Sequence, residues 1–406
     1  MKHVLLPSLA AAALVLAHAR AAAPVVSNIR AAQIAGTKQV EVLYDVSDAD
    51  GDALTIGLEI SGDGGLTYSI PATALSGQAG PRIAPGSNRR LVWNAGLDWN
   101  NQYVPNARAR VTAYDGTTPV PPVGMVYIPA GSFQMGDNFY EGGQDEQPLH
   151  NVSVGAVFME RFEVSKEIWI AVKTWGEGHG YSFDSGGSYS GNGHPVHHVN
   201  WYEAVKRCNA SSEKEGLTPI YYTDSSQVAV YRTGDLNLNN SSAKWSANGY
   251  RLPTEAEWEK GARGGVQGFR FPWGNSINGS TANFYGSGDA YEVGTTPCGY
   301  YNGLQLPAGA NMANGYGLYD VAGNVLEWCW DSYGNSYYSD ANANNNPHGP
   351  LFEINRVVRG GSNDDASSSL RIARRIGITP ASSGFDGIPG TGQDGGCGIR
   401  RVRNVN

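Results

Sequence analysis

The sequence predicts two folded units. An all-β sandwich covers 24–118, and a larger α+β domain with little regular secondary structure covers 124–406, joined by a Pro-rich linker at 119–123. Three observations predict this. Short runs alternating apolar and polar residues crowd the first quarter of the chain, as half-buried strands should. The stretch Thr117-Thr118-Pro119-Val120-Pro121-Pro122-Val123 can form neither a ladder nor a helix and reads as a short stiff linker. The chain carries 54 glycines, 22 tyrosines and 10 tryptophans among 406 residues but only 16% charged residues, which describes packed loops rather than long helices. That length is enough for two or three domains with buried cores.

At the start, Lys2 and His3 precede an apolar stretch from Val4 to Ala17, and Ala17, Ala19 and Ala21 offer small residues for cleavage. This is the pattern of a bacterial signal peptide over 1–23, and about 14 apolar residues are too few for a membrane span. No later segment resembles a membrane helix, so the mature chain is expected to be secreted or periplasmic. Within the β module, Val40 to Val46 alternates most clearly, and Leu54 to Ile60, Arg90 to Trp93 and Ala107 to Ala113 form similar runs. Their spacing resembles an immunoglobulin-like or fibronectin-like module. Asp48, Asp50 and Asp52 place carboxylates on alternate positions, as a calcium loop would, but the distal Glu of a helix–loop–helix site is missing. The same Asp-Gly pairs also make ordinary hairpin turns, the simpler reading.

Beyond the linker, one helix is predicted from Trp201 to Gly216, with Ala204, Val205 and Cys208 on one face. A second is predicted to begin at Thr254, whose hydroxyl and Glu257 form a Thr-x-x-Glu capping box. His194, His197 and His198 have a spacing that could bind a metal on a helix, but Pro195 favours an extended segment there. The net charge of −8 argues against a nucleic-acid surface. The basic residues Arg371 to Arg375, Arg400, Arg401 and Arg403 are expected in structural ion pairs. Four cysteines, Cys208, Cys298, Cys329 and Cys397, favour two disulfides in an exported chain, with three pairings open.

A set of motifs dominates the second unit. It opens with Met125-Val126-Tyr127-Ile128-Pro129-Ala130-Gly131-Ser132-Phe133-Gln134-Met135-Gly136 and continues with His194-Pro195-Val196 and Val199-Asn200-Trp201. Next come Tyr250-Arg251-Leu252-Pro253-Thr254-Glu255-Ala256-Glu257-Trp258-Glu259 and Phe271-Pro272-Trp273-Gly274-Asn275. The run Asn314 to Trp328, Arg359-Gly360-Gly361-Ser362 and Gly398-Ile399-Arg400 complete it. In content and order the set resembles the formylglycine-generating enzyme (sulfatase-modifying factor) family over roughly two thirds of the chain. The resemblance implies a C-type-lectin-like fold and pairing of Cys208 with Cys397, leaving Cys298 with Cys329.

It also implies calcium. One site would use the side chains of Asp320 and Glu327 with the backbone oxygens of Gly323 and Val325. Calcium takes six to eight oxygens from such a mixture; a buried carboxylate pair satisfied by backbone amides is the alternative. A second would use Asn283, the Phe284 backbone and the Asp289-Ala290-Tyr291 unit.

The family's oxidases bind copper through two cysteines shortly after Gly-Gly-Ser. Here Ser362 remains, but the two positions are Asp365 and Leu370. Cu(I) selects soft thiolates, so copper is not expected and no catalytic residue is assigned. Glu255, Glu257 and Glu259 read as structural rather than as acid–base groups. The expected function is an exported, calcium-stabilised binding or scaffold module. Its partner would be an unidentified protein, peptide or glycan contacting the loops between Asn363 and Gly398. The alternatives are a formylglycine-generating oxidase acting on a sulfatase cysteine or serine, or another side-chain oxidation on the same scaffold.

Overall fold

A computed structural model describes residues 24–405 apart from 50, 63, 65–69, 71, 101–102, 116–118, 185, 293, 352 and 386–394. The leader predicted over 1–23 and Asp50 of the acidic loop lie outside the described residues. The chain divides into two compact units: residues up to 62 with 69–119, and 63–68 with 120–406. Helices are few and sheets predominate.

The N-terminal unit contains β1 (Val25–Gln33), β2 (Gln39–Ser47), β3 (Leu54–Ser61), β4 (Leu75–Gly77), β5 (Gly80–Ile83), β6 (Gly86–Asn94) and β7 (Arg108–Tyr114). A one-turn helix, α1 (Ala95–Asp98), follows β6. Two sheets form, in the orders β1-β2-β6-β4 and β5-β3-β7. The period-2 pattern puts Val42, Tyr44 and Val46 of β2 and Leu54, Ile56, Leu58 and Ile60 of β3 indoors. With Leu91, Trp93 and Val111 they make one apolar cluster drawn from both sheets. In the acidic turn, Asp52 N donates to Asp48 Oδ2 at 2.8 Å, and Gly51 sits at φ +76°.

The second unit begins with β8 (Met125–Ile128), β9 (Gly131–Met135), β10 (His150–Val154), β11 (Val157–Glu160), α2 (Lys166–Glu177), α3 (Trp201–Lys214), β12 (Tyr250–Arg251) and α4 (Glu255–Arg263). It ends with β13 (Leu326–Ser332), β14 (Arg356–Arg359), β15 (Ile376–Ile378), β16 (Gly384–Phe385), β17 (Gly395–Gly398) and β18 (Val402–Asn404). From 264 to 325 the described residues form turns and isolated bridges, with no helix or strand.

β13, buried along its whole length, is the middle strand of the sheet β15-β14-β13-β17-β16. Trp201, Ala204, Val205 and Cys208 of α3 share a core cluster with Trp328 and Trp330 of β13. Asn200 caps α3 by accepting Glu203 N at 2.9 Å. The helix stops at Lys214, short of the predicted Gly216, which takes φ +70°. The predicted capping box forms: Glu257 N donates to Thr254 Oγ1 (3.2 Å), and Thr254 N to Glu257 Oε2 (2.9 Å). Gly264 closes α4 in the left-handed region.

Helix α2 went unpredicted. Trp169 and Val172 face inward, but Ile168 and Ile170 remain 40% and 38% exposed. Those two break the apolar period, and their β-branched side chains are middling helix formers.

Around α4 a set of buried ion pairs fixes the motif loops. Arg359 bridges Glu255 and Glu259, each at 2.6 Å, and Arg375 grips both oxygens of Glu255 at 2.6 and 2.8 Å. Arg263 meets Glu259 at 2.6 Å, Arg251 meets Glu257 at 2.6 and 2.8 Å, and Arg371 meets Glu146 at 2.6 and 3.0 Å. The motif's charged residues therefore serve packing.

Candidate functional site

Three predicted segments meet at Gly323. A Cβ on this glycine (φ +91°) would lie 2.1 Å from the Asn283 carbonyl oxygen and 2.9 Å from Leu370 Cδ2. Only glycine fits so close an approach in that backbone region. Hydrogen bonds hold the same junction: Asn324 N to Asn283 O, Asn363 N to Asn324 O, and Tyr285 N to Asp365 O, each 3.0 Å. The turn 320–327, the segment around Asn283 and the loop after Gly-Gly-Ser thus form one neighbourhood.

Its charge is unbalanced. Glu327 is fully buried; its Oε1 accepts Arg400 Nη2 and its Oε2 accepts Trp258 Nε1, both at 2.7 Å. Asp320, at φ +56°, accepts Gly299 N on Oδ2, while its enclosed Oδ1 has no partner among the described residues. Glu163 joins them: Oε2 accepts Asn324 Nδ2 at 2.7 Å, and Oε1 accepts Val325 N at 3.3 Å. Burial pushes Asp320 up to about 6, against the pull of the Gly299 amide and Arg400. Burial, then the Asp320 and Glu327 charges, push Glu163 well above the usual carboxylate range. Three carboxylates therefore share one guanidinium.

Sequence reasoning missed Glu163. The signal was available: Phe162-Glu163-Val164 places a lone carboxylate between apolar residues just after β11.

At the second predicted calcium set, buried Asn283 donates through Nδ2 to Gly294 O at 2.7 Å, and its Oδ1 has no partner among the described residues. Asp289 is engaged locally: Oδ1 accepts Tyr291 N (2.6 Å), and Oδ2 accepts Ser287 Oγ (2.9 Å) and Tyr301 OH (2.8 Å). Phe284 packs with Leu370 in an apolar cluster. No turn or loop hydrogen bond among the described residues ends on the Gly323 or Val325 carbonyl. Open buried oxygens at Asp320 and Asn283, with these carbonyls, fit an oxygen-seeking cation; Glu327, held by Arg400 and Trp258, fits less well as a ligand. Among the described residues, no three or more His, Cys, Asp or Glu side chains are grouped as a metal-binding set.

The positions in register with the family's copper cysteines are filled differently. Ser362 donates through Oγ and N to Asp365 Oδ2, at 2.7 and 2.9 Å. Burial raises the Asp365 carboxyl. Leu370 is fully buried among Phe271, Ala282, Phe284 and Ala322. One position is a capped carboxylate and the other is core.

The expected disulfides are not what the structure carries: Cys208, Cys298, Cys329 and Cys397 are all free and buried. Each thiol has its own charged surroundings. Cys208 sits by Arg401 and Glu160, Cys298 by Glu163 and Asp320, Cys329 by Glu255 and Asp331, and Cys397 by Asp365. Burial first, then mostly acidic neighbours, pushes the thiols up. Of the histidines, His194 Nδ1 pairs with Thr295 Oγ1 at 3.0 Å, and His197 packs on His198 with centroids 4.8 Å apart. Burial, then the neighbouring histidines, holds His197 down to about 4.

A family model described as the sulfatase-modifying factor enzyme 1-like domain matches residues 113–387. The formylglycine-generating enzyme of Thermomonospora curvata is 33% identical over 64% of this chain and 90% of its own length. The chaperone protein LppX of Paenibacillus barcinonensis is 32% identical over 51% of this chain and 71% of its own. Among solved structures, Treponema denticola variable protein 1 matches with 28% identity and a TM-score of 0.50, over 69% of this chain and 95% of that one.

Proposed function

The chain belongs to the sulfatase-modifying factor family, and from that premise we propose that it is an exported binding or scaffold module stabilised by calcium. The observation that carries this reading is the pair Asp365 and Leu370. A carboxylate capped by Ser362 and a core leucine cannot supply the two soft thiolates that Cu(I) selects. The name of the Paenibacillus relative, a chaperone, fits a binding role. The contact surface would lie on the loops between Asn363 and Gly398, facing a protein, peptide or glycan. The N-terminal unit would be an immunoglobulin-like spacer ahead of the larger domain.

Calcium would be held by Asp320 with the carbonyls of Gly323 and Val325, and a second ion by Asn283. Glu327 would contribute to the first site only through the oxygen lone pairs left by Arg400 and Trp258. When bound, the cation supplies the positive charge that Glu163, Asp320 and Glu327 lack.

The second reading is a formylglycine-generating oxidase, favoured by the Thermomonospora relative and its 90% coverage. One experiment separates the two. The full chain is incubated with oxygen, Cu(I) and a peptide carrying the Cys-x-Pro-x-Arg sulfatase motif, and aldehyde is read by mass spectrometry. The proposal expects no aldehyde above the no-protein control; aldehyde above it would overturn the binding-module reading.

A further inference from the structure

A cleft of about 220 Å³ opens beside β12, the edge strand of the sheet β12-β18-β11-β8. Trp245, Arg251, Glu257, Asn346, His348 and Asn404 are among the residues lining it. None belongs to the turn 320–327 or to the loop 362–370.

The charges in its wall are already matched. Arg251 donates to both oxygens of Glu257 at 2.6 and 2.8 Å, and to Asn404 Oδ1 at 2.9 and 3.2 Å. Asn404 spends its amide on the carbonyls of Trp245 (2.6 Å) and Ala247 (2.8 Å). An ionic ligand therefore meets no unmatched charge here, and a buried ion pair does not open cheaply to make one.

What remains for a ligand is neutral and polar. Asn346 uses its Oδ1 to accept Gly155 N at 2.7 Å, leaving both N–H groups of Nδ2 as donors. His348 lies against the Trp245 indole, with centroids 3.9 Å apart. Burial first, with Arg251 opposing Glu257, holds the imidazole down to about 4. At neutral pH it therefore offers one donor and one acceptor. Trp245 and Pro347 add apolar surface beside these polar edges. The volume falls short of the roughly 300–1,000 Å³ of drug-sized sites, so it suits one small ring rather than a chain.

We propose that this cleft binds a single neutral, hydroxyl-bearing ring, a monosaccharide unit, with Asn346 and His348 hydrogen-bonding its hydroxyls beside the Trp245 indole. The site goes beyond the calcium and contact-loop reading and does not depend on it.

The test is saturation-transfer NMR on the full chain, with glucose, galactose and N-acetylglucosamine as separate probes. Two variants accompany it: Asn346→Ala at an exposed position, and His348→Phe, which keeps a ring against Trp245 but removes both nitrogens. Their melting temperatures report folding. The expected result is transfer to the ring protons of at least one sugar, with affinity about fivefold weaker in each folded variant, as loss of a hydrogen bond to a neutral group costs about 1 kcal/mol. No transfer to any of the three sugars, or binding unchanged in both variants, would overturn the site.

Discussion

Two buried charge clusters in the larger domain are built on opposite principles. Around α4, Glu255, Glu257 and Glu259 each meet a guanidinium at 2.6 Å, from Arg359 and Arg375, Arg251, and Arg263 respectively. Around the turn 320–327, Glu163, Asp320 and Glu327 share Arg400, and Asp320 Oδ1 is left without a hydrogen bond among the described residues. In the first cluster each glutamate has its own guanidinium, although Arg359 Nε and the Oδ1 of neighbouring Asp331 find no hydrogen bond among the described residues. The second reaches neutrality only by taking up protons or a cation. A burial that would be costly in the first case becomes, in the second, a reason to expect a ligand.

Breaking the closed cluster should have the largest effect. Arg359→Met leaves Glu255 and Glu259 short of a partner in a fully buried place, and about 3–5 kcal/mol of stability should go. Urea unfolding measures it, and a loss below about 1 kcal/mol would mean that the pairs contribute little.

Acid offers a second test. Despite the cost of burial, the charges of Arg263 and Arg359 hold Glu259 down to about 2, against an ordinary 4.5. A depressed folded pKa means that the stabilisation is present above pH 4.5 and is lost as pH falls through about 2. The whole contribution is of order 3 kcal/mol. Urea midpoints between pH 5 and pH 2.5 should fall less steeply in Glu259→Gln than in the wild type; equal slopes would contradict the assignment.

The smallest effect in this region belongs to the cap. Thr254→Ala removes the hydroxyl that accepts Glu257 N and should cost about 1 kcal/mol, read as a shift in urea midpoint without a change in slope.

Much of the first cluster was legible in the sequence, and much of the second was not. The capping box at Thr254 and Glu257 is a local signal, four residues long, and it formed as expected. The alternation in β2 and β3 likewise depends only on neighbours in the chain. Glu327 was singled out from its motif, but its partner Arg400 lies 73 residues on and Trp258 lies 69 residues back. No local pattern announces that closure.

Glu163 was passed over because an isolated carboxylate has no period and no spacing rule. It acquires meaning only when β11 delivers it to Asn324 and Val325. The disulfide expectation rested on an even count of cysteines, a compositional argument that says nothing about which elements face one another. The four thiols sit free in four different surroundings.

We propose that the turn 320–327 completes its charge with calcium. Melting of the full chain in millimolar calcium and in excess chelator tests it most directly, with Asp320→Ala alongside. At about 100 times the dissociation constant a bound ion adds about 2.7 kcal/mol. For a domain of this size that is a rise of roughly 5 °C. The account predicts that rise in the wild type and its loss in Asp320→Ala. A wild-type melting temperature unchanged by calcium would contradict it and leave protons as the partners of Asp320 and Glu163.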